Sequence, residues 1–173
     1  MARLHKSALG YLILAAVLAT GTPCITGAAE PQAATATVLG GGNSLLAEGS
    51  LALEEGRIAE GIRLTEAGLK DAADPREVAG GHSNLCAGYA LLRDWAQALE
   101  HCNTAIELDH SNWHSLNNRA AVHVGQGRYD LALGDLRLGL ELVPQSTTLH
   151  KSLAVVEHNQ RVLNKRDRAL MHS

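Results

Sequence analysis

Phenylalanine is absent from the 173 residues, and Trp and Tyr bring the aromatic content to only 3%. With 46% apolar residues, a core without large rings has to be filled by Leu, Ala, Val and Ile. That filling suits helices in close approach better than a thick sandwich of sheets. Blocks of basic residues are missing from the centre of the chain, so a nucleic-acid surface is not indicated. The local exception, Lys165-Arg166-Asp167-Arg168, reads as a solvated helix end. There is no Cys-x-x-Cys pair at a helix start, no Ser/His/Asp or glycine-rich phosphate motif in a fitting context, and no zinc-protease spacing of His and Glu. Each absence argues against an enzyme, a metal or a cofactor. Gly40-Gly41-Gly42 is a linker feature.

The beginning of the chain has a composition of its own. Arg3 and Lys6 make a basic start, Ala8 to Ala19 is an apolar run, and Thr26-Gly27-Ala28-Ala29 supplies small residues. Together they predict a secretory signal peptide over 1–29, with cleavage after Ala28 or after Ala29. The run falls short of the ~20 residues that span a bilayer. Two alternatives stay open, an uncleaved signal anchor and a lipid on Cys24, although Pro23 stands where a small residue is expected. Residues 30–43 show no helical period and are read as a flexible leader. Loss of Arg3 and Lys6 leaves 13 basic against 18 acidic residues.

Farther along, a pattern repeats. Tyr89, Trp95, Ala98, Ala105, Leu108 and His110 fall on His123, Tyr129, Ala132, Gly139, Leu142 and Pro144, every pair 34 residues apart. An aromatic at the turn, small residues on the second helix and a closing Pro, all at fixed period, mark a helical solenoid. The stretch Ala79 to Gln145 resembles the tetratricopeptide repeat (TPR) family. The resemblance implies an all-α, right-handed superhelix of three helix–turn–helix repeats plus a C-terminal capping helix.

The units are expected at 44–78, 79–112 and 113–146. The first is degenerate: Gly49, Gly61 and Gly68 keep the small positions, Gly56 marks the turn, and Ile58 replaces the aromatic. Three extra residues separate it from the second. Asp74-Pro75-Arg76-Glu77 supplies a cap acceptor, a first-turn Pro and a Glu, so the next helix is expected to start near Pro75 and run to about Leu92. Arg93-Asp94 makes the turn to a helix from Trp95 to Leu108. In the third unit Ser111 is expected to cap a helix ending near Gln126, with Gly127 as a left-handed C-cap before Tyr129 to Leu142. Over 147–173, Leu149, Leu153, Val156, Leu163 and Leu170 share a face, as in a helix that covers the last repeat.

Cys86 and Cys102 each lie about eight residues from the Arg93-Asp94 turn, hence at one height in the hairpin, and they occupy positions that face each other in the TPR pattern. In an exported protein they are expected to form a disulfide. The nine histidines do not converge by spacing. His110 and His114 are separated by a helix start, and His101, His123, His150 and His158 are scattered over different helices. All are read as structural.

The resemblance places a partner groove on the first helix of each repeat. Asn84 and Asn118 fall where the family often hydrogen-bonds the backbone of an extended peptide, an amide supplying both donor and acceptor. Their groove neighbours are Ser83, Ala87, Leu91, His114, Asn117, Ala121 and Gly125, with Leu46 and Ser50 from the first repeat. The family's carboxylate clamp needs Lys on the first repeat and basic residues on the third. Leu46, Ser50, His114 and Asn118 stand there, which argues against capture of an acidic C-terminus. Arg119 is expected to pair with a neighbouring helix. The expected protein is a non-catalytic interaction scaffold of the bacterial cell envelope, periplasmic or secreted; the alternatives are a membrane-tethered envelope assembly factor that keeps its N-terminal anchor, and a metal-binding or redox protein built on the same scaffold. The scaffold's expected ligand is a protein or peptide partner, with no nucleic acid, no cofactor, and no membrane after cleavage.

Overall fold

The computed structural model describes residues 43–171. The expected signal peptide, Cys24 and all of the expected leader except Asn43 lie outside them. Seven helices and no strand occur among the described residues: α1 Ser44–Glu54, α2 Ile58–Leu69, α3 Pro75–Leu91, α4 Trp95–Leu108, α5 Trp113–Gly125, α6 Tyr129–Leu142 and α7 Thr147–Met171. Three antiparallel hairpins, α1–α2, α3–α4 and α5–α6, stack in chain order, and α7 packs on α6.

One turn geometry ends the first helix of every hairpin. Gly56, Arg93 and Gly127 all lie in the left-handed region, at φ 77°, 61° and 73°. In each case the next residue's N–H reaches back to the third-last carbonyl of the helix: Arg57 to Ala52 at 2.8 Å, Asp94 to Tyr89 at 3.0 Å, Arg128 to His123 at 2.8 Å. The residue before it closes the shorter loop, as Gly56 does to Leu53 at 3.1 Å. This is the Schellman arrangement, which satisfies carbonyls the helix leaves orphaned and reverses the chain into the second helix.

Helix starts follow the sequence with one exception. The Asp74 carboxylate accepts from Arg76 N–H at 2.7 Å with Pro75 in the first turn, and Asp94 accepts from Gln97 N–H at 3.2 Å. In the third repeat the cap is Asn112, whose Oδ1 accepts from Ser115 N–H at 3.3 Å, instead of Ser111. Ser111 is occupied elsewhere, donating its N–H and hydroxyl to the Asp109 carboxylate at 2.9 and 2.6 Å. That local turn competes with capping and shifts the helix start by one residue.

Small residues set the helix separations. A Cβ on Gly49 would stand 2.4 Å from Thr65 Oγ1, so α1 and α2 are in backbone-close approach. A Cβ on Gly125 would lie 2.5 Å from Trp95, whose ring packs from α4 onto α5 of the next repeat. The core that results uses Ala more than any other residue, with Leu53, Leu136, Leu149, Val122 and Val156 its large fully buried apolar side chains. On α7, Leu149 and Val156 are buried, but Leu170 is 67% exposed, so the shared face covers the last repeat only over its first half.

Candidate partner-binding groove

The first helices α1, α3 and α5 touch in succession, and α5 meets α7. Their contacts are stitched by the two asparagines singled out above. Asn118 Nδ2 donates to the carbonyl of Ser83 at 3.2 Å and to its hydroxyl at 3.3 Å. Asn84 Nδ2 donates to the carbonyl of Leu46 at 3.5 Å. The sequence offsets, 35 and 38 residues, become equal once the three-residue insertion is counted. Each asparagine therefore makes the same bond, back to the first helix of the preceding repeat. Asn118 commits its amide nitrogen to the scaffold twice, whereas Asn84 commits it once and keeps a second N–H beside its oxygen for a ligand.

Burial divides the remaining predicted groove residues. Ala87 and Ala121 are fully buried, Asn117 is 1% exposed, Asn118 4%, and Ser83 and Ser50 are buried too. These belong to the packing between repeats and not to an open floor, because small side chains let adjacent first helices close over them. Gly125 is covered by Trp95. Partly open positions are Leu46, Asn84, Leu91 and His114. Gly80, one period before His114, faces open space: a Cβ there would meet nothing within 4 Å. It carries no side chain to attract notice in a search for site residues.

His114 is the ionisable residue among the predicted groove positions. Its ring stacks on Trp113 with centroids 3.6 Å apart, and burial pushes its pKa down to about 4. It is neutral at physiological pH. Arg119 lies elsewhere, its Nη2 and Nε donating to the buried Asp135 carboxylate at 2.7 and 3.0 Å and its Nη1 to Asn103 at 2.8 Å. It ties α5 to α6 and α4.

Cys86 and Cys102 are joined in the structure, with Cα atoms 5.1 Å apart across α3 and α4. Among the described residues no three His, Cys, Asp or Glu form a metal-enclosing group, and no helix is long and apolar enough to cross a membrane.

This architecture has solved counterparts. The first TPR domain of human RPAP3 superposes with a TM-score of 0.61 at 24% identity, over 71% of this chain and 93% of that one. The fold is that of a TPR domain. The first TPR of Spaghetti (RPAP3), solved with an HSP90 peptide SRMEEVD, gives 0.59 at 24% identity, over 68% of this chain and 91% of that one. By sequence, mouse peptidyl-prolyl cis-trans isomerase FKBP4 is 33% identical over 89 residues, 51% of this chain and 19% of that protein. The chain thus spans about a fifth of that relative. No protein-family model matches the chain. Within the TPR frame, the clamp positions hold Leu46, Ser50, neutral His114 and an Asn118 already bonded to the scaffold.

Proposed function

We propose that this chain is a non-catalytic interaction scaffold that holds an extended, non-acidic segment of a partner protein against α1, α3 and α5. The uncharged lining formed by Leu46, Gly80, Asn84, Leu91 and His114 carries the reading. A TPR neighbour solved with a bound peptide supports the mode of binding. Its peptide is acidic, and acidic tails want cations, which the clamp positions here do not provide. Export to an oxidising compartment, the bacterial periplasm or beyond, is part of the proposal. The composition of residues 1–29 and the pairing of Cys86 with Cys102 support it.

Gly80→Arg is the discriminating variant. The new side chain enters the groove without a backbone clash and replaces a poor helix former. Affinity capture from the exported fraction is expected to recover a partner with the native chain and to lose it with Gly80→Arg. Equal recovery by both would remove the groove assignment. The peptide SRMEEVD is expected to show no saturable binding to the native chain. Intact mass of the purified protein tests export, with cleavage after Ala28 or Ala29 as the expected result.

A further inference from the structure

The middle hairpin carries a second constellation, on the faces where α3 meets α4. His82, Cys86 and Tyr89 are spaced i, i+4, i+7 and so share one face of α3. His101 of α4 enters between the two rings. It stacks on Tyr89 with centroids 5.5 Å apart and meets His82 with centroids 5.2 Å apart. The Nδ1 atoms of His82 and His101 approach to 3.0 Å. His101 adjoins bridged Cys102, and His82 is one turn from bridged Cys86, so the disulfide sets the helix spacing on which the imidazole pair depends.

Two neutral imidazoles can share one proton at this distance, and they can equally share a metal ion. With metal–nitrogen bonds of about 2.0–2.1 Å, ligand nitrogens at right-angle to tetrahedral positions stand about 2.9–3.4 Å apart. The observed separation lies in that interval. Glu100 near both rings and Glu66 near His101 offset part of what burial costs a positive charge there, and Glu66 also accepts the Tyr89 hydroxyl at 3.2 Å. Burial holds both rings below the ordinary imidazole pKa, so the nitrogen lone pairs that bind metals are present at neutral pH.

We propose that His82 and His101 chelate one divalent first-row transition-metal ion through their Nδ1 atoms, with water completing the coordination. Imidazole nitrogens suit Zn²⁺, Ni²⁺ and Cu²⁺ and disfavour Mg²⁺ and Ca²⁺. With two protein ligands the site is an exchangeable one. Bound metal bridges α3 to α4, on the same hairpin the disulfide joins.

The test is calorimetric titration of the purified, disulfide-bonded protein with Zn²⁺, after alkylation so that Cys24, where the N-terminal segment is kept, offers no thiol. One site is expected, weakened more than about tenfold in His82→Gln and in His101→Gln, since losing a ligand costs at least the 10–100-fold lost with an outer-shell partner. His158→Gln, an exposed change on α7, is expected to leave it intact. Nitrogen-15 spectra of the native chain provide a readout independent of the variants' folding, with the His82 and His101 imidazole signals moving together on Zn²⁺ addition. No binding, binding unaltered in both variants, or spectra in which other histidines respond and these two do not would each overturn the proposal and leave a shared-proton pair.

Discussion

Arg93 holds a conformation that its counterparts Gly56 and Gly127 adopt at no steric cost. A side chain in the left-handed region costs about 1–2 kcal/mol, partly offset by the lower entropy of a non-Gly residue in the unfolded chain. Arg93→Gly is therefore expected to raise stability by about 0.5–1 kcal/mol, read as a higher urea midpoint at unchanged slope. Asn118→Ala should move the midpoint the other way. Removing the donor to Ser83 loses a buried hydrogen bond to a carbonyl that keeps its own intrahelical partner, at a cost of about 0.5–1.5 kcal/mol, before any ligand is considered. At this scale the sequence was partly legible. Glycine announced two of the three reversals, but a left-handed arginine has no local signature. Ser111 and Asn112 are both good caps, and only the competing Asp109 turn decides between them.

Among the elements, the periodic pattern placed α4 and α6 to the residue and α3 to within one, because the Asp74-Pro75 start and the 34-residue repeat act independently of tertiary context. The groove was less legible. Whether a small residue on a first helix lines a cleft or seals a joint depends on how tightly successive repeats close, and Ala87 and Ala121 turn out to seal joints. His82 and His101 were hidden for a related reason, since their meeting depends on how α3 crosses α4 and not on height above the turn. The bridge between those helices closes a loop with a sequence separation of 16 residues, worth roughly 3 kcal/mol by loop-closure entropy. Cys86→Ser is expected to lower the thermal midpoint of the oxidised protein, and reductant to lower that of the native chain by a similar amount. A midpoint indifferent to both would show that the thiols are not joined in solution.

For the molecule as a whole, histidine burial makes stability depend on pH. The unfolded chain protonates His114 near 6.5, whereas the native state resists until about 4. Between those values the unfolded state binds the extra proton, so stability falls as pH falls. His82, His101 and His123 are also shifted down, chiefly by burial, and act in the same direction. The thermal midpoint is expected to decline steadily from pH 6.5 toward pH 4, and less steeply in His114→Gln. An identical slope in that variant would remove His114 from the account.

A stack in which each unit touches only its neighbours melts as a line of weakly coupled segments, and among the described residues the covalent tie lies in the middle unit. Opening should therefore begin at the two ends and move inward. Amide protons of α3 and α4 would exchange with solvent last, while those of α1 and α7 exchange early. A protease would trim the chain from both sides toward a resistant central fragment. Reduction of Cys86–Cys102 would narrow that difference, leaving only what the two interfaces of the middle unit contribute.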